Sequence, residues 1–283
     1  ISFSAVQGAL ENQVLLHPDM ETWRVDPVAY PYPLGAGAGQ YRAIGATVAM
    51  HYLDKIKRGI NGAYQRLESG GARSGLSTLY TAVTGKATDT TSPIRVVLIS
   101  SLAGGSGAGM LMTVADTLRA IDNEGCKDIF GVLYTPDVFG GGGNISGTTP
   151  NSLAAISEIL NGYWWGGSIN RAEENPPAKN LGVLASNGLP AALEASGPRF
   201  PFLVGRTNAR SVDHGSPSNL FSIVGRSLLS WTTDTAVQEE FIAYTIGNWK
   251  TASTGHEQSS KTLLTGGTDA EIGYPAISSL GFS

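Results

Sequence analysis

Apolar residues at Ile44, Val48, Tyr52, Ile56, Ile60, Tyr64 and Leu67 recur every three or four positions, a spacing that predicts one long amphipathic helix over residues 42–67. A glycine run at 34–40 precedes it, and Ser69-Gly70-Gly71 marks its end. Residues 70–92 are rich in Ser, Thr and Gly with little periodicity, and they read as a surface insertion. The pattern then changes. Residues 94–102 (IRVVLISSL) form a short, nearly continuous apolar run with β-branched residues, as expected of a strand buried on both faces of a parallel sheet. Helical spacing resumes at Met110, Val114, Leu118 and Ile121, with a stop at Asn123-Glu124-Gly125. A second strand is predicted over 129–135, and a helix over 150–165 carries Leu153, Ile156, Leu160, Tyr163 and Trp164 on one side. A further strand over 200–205 leads into helical material from 217 to 248, broken near 232–235, where Thr235 and Gln238 have capping-box spacing.

Strands alternating with helices predict an α/β fold with a mostly parallel sheet flanked by helices, since parallel strands need crossovers that cover both faces. Ligands in such sheets sit beyond the carboxyl ends of the strands. The loop Ala103-Gly104-Gly105-Ser106-Gly107-Ala108-Gly109 falls at that edge, between a buried strand and a helix N-terminus. Free N–H groups and the positive end of a helix dipole converge there, and small residues admit an oxyanion. Bulk at Gly107 is therefore expected to block such a ligand without disturbing the fold. No Lys-Ser or Lys-Thr pair ends the loop, so it is not a P-loop, and its glycine spacing does not fit the dinucleotide pattern with a following acid. On sterics alone, packing a helix on a strand explains the loop as well as phosphate binding does.

Composition narrows the picture. Of 283 residues, 41% are hydrophobic and 15% charged, enough apolar material for a substantial core. The net charge of −4 comes with no basic stripe, so neither nucleic acid nor an anionic membrane is indicated as a partner. No apolar run reaches the roughly 18 residues of a membrane span, and the start lacks the pattern of a signal peptide. The single cysteine, Cys126, precludes an internal disulfide and suits a reducing compartment, so the chain reads as cytoplasmic. His17, His51, His214 and His256 lack metal-ligand spacing, and no metal cage is expected. Gly105-Ser106-Gly107 is not a nucleophile elbow, so a serine hydrolase is disfavoured. Tyr163, Trp164 and Trp165 at a helix end read as core or interface anchors, with stacking on a base as the alternative, and the Gly140 to Gly143 run reads as a mobile tip.

The glycine loop resembles the tubulin/FtsZ signature Gly-Gly-Gly-Thr-Gly-(Thr/Ser)-Gly, and is closest to the bacterial tubulin-like branch, which has Ser-Leu-Ala before its paired glycines. Ala103, Ser106 and Ala108 depart from the general signature; Ser106 keeps the hydroxyl of Thr and Ala108 loses one. Further segments match in the same order. Gly35-Ala36-Gly37-Ala38-Gly39-Gln40-Tyr41-Arg42 resembles the loop that faces the γ-phosphate, and Tyr134-Thr135-Pro136-Asp137 a Pro-containing strand end. Thr149-Pro150-Asn151 resembles the turn whose Asn contacts the sugar or base, and the helical region after Ser216 resembles the start of the family's central helix, which makes Asn219 a candidate for the guanine edge.

The resemblance implies a tubulin/FtsZ-type Rossmann-like GTPase domain over 34–249, with 70–92 inserted. Segment 1–33 lacks the family's first strand and phosphate loop, which together with Ile1 in place of Met predicts a piece preceding this sequence; 250–283 is unassigned. The implied ligand is GTP or GDP, with Mg2+ accompanying it. The implied contacts are Gly37, Ala38, Gly39, Gln40, Ala103, Gly104, Gly105, Ser106, Gly107, Ala108, Gly109, Asn151 and Asn219. The implied partner is a second copy, associating head to tail into a filament, with hydrolysis completed across subunits. No catalytic residue is assigned, Asp269 and Glu271 being merely acids in the right region. The alternatives are a nucleotide-binding sensor or scaffold without turnover and, less well matched, a dinucleotide-dependent oxidoreductase.

Overall fold

A computed structural model describes residues 37–88, 94–121, 129–140, 146–165, 197–198, 200–207, 211–245 and 278–279. Segment 1–33, the stop at 123–125, glycines 141–143, Cys126, His17, His256, Asp269 and Glu271 lie outside them, as do the side chains of Leu160, Tyr163, Trp164 and Trp165. The protein is α/β. Strands β1 (Val96–Ser101), β2 (Ile129–Tyr134), β3 (Phe200–Val204) and β4 (Ser278–Ser279) form a parallel sheet in the order β1-β2-β3-β4. Register runs unbroken from Val96 opposite Ile129 to Ser101 opposite Tyr134, which brings the ends of β1 and β2 level.

Both faces of β2 are covered and every residue of it is buried, whereas β1, at the edge of the described sheet, is only half-buried and exposes Ile99, so the expectation that residues 94–102 form a strand buried on both faces is corrected. On one face Leu98, Leu133 and Leu203 meet Leu111 and Met112 of helix α4 (Gly105–Ile121) and Ala155 and Ile159 of helix α5 (Thr148–Trp165). On the other, Val132, Tyr134 and Val204 meet Leu220 and Val224 of helix α6 (Pro217–Thr233). An aromatic cluster of Phe130, Phe200, Phe202 and Trp231 continues that face toward Phe241 of helix α7 (Thr235–Thr245).

Three further local features differ from the sequence reading. The predicted helix over 42–67 is two helices, α1 (Arg42–His51) and α2 (Leu53–Glu68), because Tyr52 leaves helical geometry at φ −98° and ψ 17°. Hydrogen bonds from Tyr52 N to Val48 O and from Ile56 N to Tyr52 O, each 3.0 Å, cross the joint, so the apolar period survives the kink and hides it. Secondly, residues 70–84 of the aperiodic segment form helix α3 (Gly70–Thr84). Its ends are set locally: Ser69 Oγ accepts from Ala72 N at 3.3 Å, and Gly85 closes the helix at φ 70°. Finally, α7 is capped by Asp234, whose Oδ1 accepts from Ala236 N at 2.9 Å, rather than by a box beginning at Thr235.

Candidate functional site

Leu102 leaves β1 with its N–H bonded to Tyr134 O at 2.9 Å, and Ala103 N donates to Ser101 Oγ at 3.0 Å, which turns the chain sharply toward α4. The first turn of α4 then meets the loop before α1. Gly105 N donates to Gly39 O at 2.7 Å, and Ala38 N donates to Ser106 Oγ at 3.3 Å. Gly37 and Gly39 take positive φ (89° and 54°), the backbone shape this crossing requires. Ser106, Gly37 and Gly39 are exposed, Ala38 is buried, and Gln40 and Gly104 are half-buried. Among the described residues the amides of Ser106 and Gly107 have no hydrogen-bond acceptor, as expected of a helix start open to solvent.

The glycines of the signature divide by role. A Cβ at Gly105 would lie 2.7 Å from both Ala38 O and Tyr41 O, and one at Gly109 would lie 2.7 Å from Ala46 N and closer still to Arg42 O. Gly45 of α1 answers them from the other side, where a Cβ would lie 2.9 Å from the carbonyl carbon of Gly105. These three let α1 and α4 touch backbone to backbone. Gly107 sits on the end of β1, its Cβ position 2.6 Å from Ser101 O. The expectation that bulk at Gly107 fills ligand space and spares the fold is therefore corrected: a side chain there strikes the strand first. Gly104 is the open one, its nearest atom Gly39 O at 3.9 Å.

Helix α5 closes the site from a third direction. Asn151, 6% exposed, donates its amide group to Gln40 O at 2.7 Å and to Ala103 O at 3.0 Å, and so ties the two loops together. Ser152 Oγ donates to Leu102 O at 3.0 Å, Gly147 N donates to Gln40 Oε1 at 2.8 Å, and the Arg42 guanidinium forms a two-point ion pair with Glu158. The resemblance pointed to Asn151 but not to Ser152 or Glu158, whose partners lie 50 and 116 residues away.

A second polar cluster occupies the same sheet edge beyond β2 and β3. Asp137 accepts from Thr135 Oγ1 and, at 2.7 Å, from Arg206 N. The Arg206 guanidinium binds both oxygens of Asp213, 2.8 and 2.7 Å away, and Asp213 also accepts from Gly215 N. Those bonds hold the Asp213 carboxyl down at about 2 and raise the Arg206 guanidinium. Asn219 stands at the start of α6, where Ser216 Oγ caps its N–H and its own amide donates to His214 O at 2.7 Å. Nearby, Tyr134, Phe139 and Phe221 group edge to face, with centroids 4.9 Å apart for Tyr134–Phe221 and 6.5 Å for Tyr134–Phe139. Burial raises the Tyr134 hydroxyl above its ordinary range. His51, on α1, is pushed below its ordinary value by burial and by the Lys55 charge.

The family model described as tubulin-like matches residues 2–279, nearly the whole chain. The protein belongs to the tubulin-like family. No curated protein and no solved structure matches it. The match extends through both segments that the motifs left unassigned, at 1–33 and beyond 249. In this tubulin-like protein the signature loop lies at the carboxyl edge of a parallel sheet, tied to the Gly37–Gln40 stretch on one side and to α5 on the other. Among the described residues no helix is long and apolar enough to cross a membrane, and no three His, Cys, Asp or Glu side chains converge as metal ligands.

Proposed function

We propose that this tubulin-like protein binds GTP and GDP at the carboxyl edge of its sheet. The observation that carries the reading is the joint between the two glycine loops, where the open first turn of α4 lies against the positive-φ stretch at Gly37 and Gly39. Ser106 and Gly107 amides and the Ser106 hydroxyl offer donors to phosphate oxygens, with Gly104 giving room for close approach. Gly37, Ala38, Gly39 and Gln40 form the opposite wall toward the terminal phosphate, and Mg2+ would accompany the phosphates. Ala103, Gly105, Ala108 and Gly109 hold the wall in shape from behind. The partly exposed rings of Phe139 and Phe221, packed on Tyr134, give a base a surface to stack on, with Asn219 at its polar edge.

Assembly follows from the same reading. The protein associates head to tail in the bacterial cytoplasm, and a neighbouring copy supplies the group that orients water, since a contact of this heterologous kind extends into a filament. A second reading, nucleotide binding without turnover, draws on the carboxylates at this edge. Glu158 is engaged by Arg42, Asp137 by Thr135 and Arg206, and Asp213 by Arg206, so each already has a structural task. Phosphate release from GTP measured against protein concentration, with sedimentation alongside, separates the two. The shared-site reading expects specific activity to rise as polymer forms. Constant, substantial activity in dilute monomer would contradict it, and bound nucleotide with no release at any concentration would favour the second reading.

A further inference from the structure

Asn151 is the side chain that bonds to both loops at the joint, and its chemistry fixes which atom faces where. Its two neighbours are backbone carbonyl oxygens, Gln40 O at 2.7 Å and Ala103 O at 3.0 Å, and carbonyls only accept. The amide nitrogen must therefore point at them, with one N–H to each loop. At 6% exposure the group has little surface left for a ligand. Around it, Gly147 N holds the Gln40 side chain at 2.8 Å, and Ser152 Oγ holds Leu102 O at 3.0 Å. The start of α5 thus grips residues 40 and 102–103 together.

We propose that Asn151 is a positioning residue: it sets the spacing between the two glycine loops, and through that spacing the preference for a triphosphate over a diphosphate. The proposal rests on the nucleotide-site reading above. In that reading the phosphates common to both nucleotides meet the first turn of α4, whereas the terminal phosphate must also meet the 37–40 loop. Releasing the joint therefore weakens the triphosphate selectively. A direct contact from Asn151 to the sugar would act on both nucleotides alike, because both carry the same sugar.

The test uses the full chain with Asn151→Ala, which removes both donors, and Asn151→Ser, which keeps one in a shorter side chain, as the milder second variant. Two readouts are taken: residue-resolved hydrogen exchange without nucleotide, and equilibrium binding of a non-hydrolysable GTP analogue and of GDP. In Asn151→Ala the Gly105 amide, bonded to Gly39 O, should exchange about tenfold faster while β2 amides keep their protection. The triphosphate dissociation constant should rise about tenfold, as for loss of one or two hydrogen bonds, and that of GDP by less than about twofold. Asn151→Ser should fall between. Unchanged Gly105 exchange with equal weakening of both nucleotides would overturn the proposal in favour of a sugar contact. Loss of protection spread equally over β2 would overturn it in favour of general destabilisation. If wild-type protein retains neither nucleotide, the nucleotide reading and the triphosphate preference fall together, while Gly105 exchange still decides whether Asn151 joins the loops.

Discussion

Helices α1 and α3 both carry glycines, yet the residue does opposite things in them. In α1, Gly45 faces the Gly105 backbone so closely that no Cβ fits, and Gly105 and Gly109 of α4 return the same contact. In α3, Gly70, Gly71 and Gly75 meet nothing within 4 Å, and no residue of the helix is buried. The first group removes side chains so that two backbones can meet and bring two loops to one edge. The second group only lowers the intrinsic stability of an exposed helix. Glycine frequency is therefore silent about role, and what the missing side chain would have struck is what separates the two.

That difference is broken most sharply at the α1–α4 contact. Gly109→Val should destabilise the protein by about 3 kcal/mol, since the new side chain meets backbone that cannot give way. In a domain of this size the loss corresponds to roughly 6–12 °C in Tm, measurable by thermal denaturation followed by circular dichroism. A shift of a degree or less would mean that the helices are not held at this spacing. The smallest effect has the opposite sign. Gly75→Ala in α3 should stabilise by about 0.5–1 kcal/mol through helix propensity alone, because nothing stands in the way of the methyl group. A loss of stability there would mean that α3 has a close neighbour on that side.

The same contrast explains how much of the protein could be read from its residues. The β1–loop–α4–β2 unit was legible because its signals are local: an apolar run, a glycine cluster, then helical spacing. The parallel sheet followed from the order of such units. The kink at Tyr52 was not legible, since the apolar period continues through it at Val48, Tyr52 and Ile56. Helix α3 was missed because it has no buried stripe to give it a period, although Ser69 and Gly85 held its cap signals in plain view. At the site, the loops themselves were visible as glycine runs, but what joins them was not. Asn151 acts on carbonyls 48 and 111 residues away, and Arg42 reaches Glu158 across 116 residues. Arg206 and Asp213 are only seven apart, yet an isolated Arg and Asp at that spacing match no motif, and the folded turn between them is what makes the pair. Carbonyl partners and turn geometry leave no residue-type signature, and so positions can be read where their couplings cannot.

The central claim is that the two joined loops form a cradle for a nucleotide polyphosphate. Its most direct test is equilibrium retention of labelled GTP, ATP and NAD by the full chain at matched concentrations, with excess unlabelled GTP as competitor. The account predicts that GTP is retained, that unlabelled GTP displaces it, and that NAD is not held. Retention of NAD in preference to GTP, or of no nucleotide at all by folded protein, would contradict it.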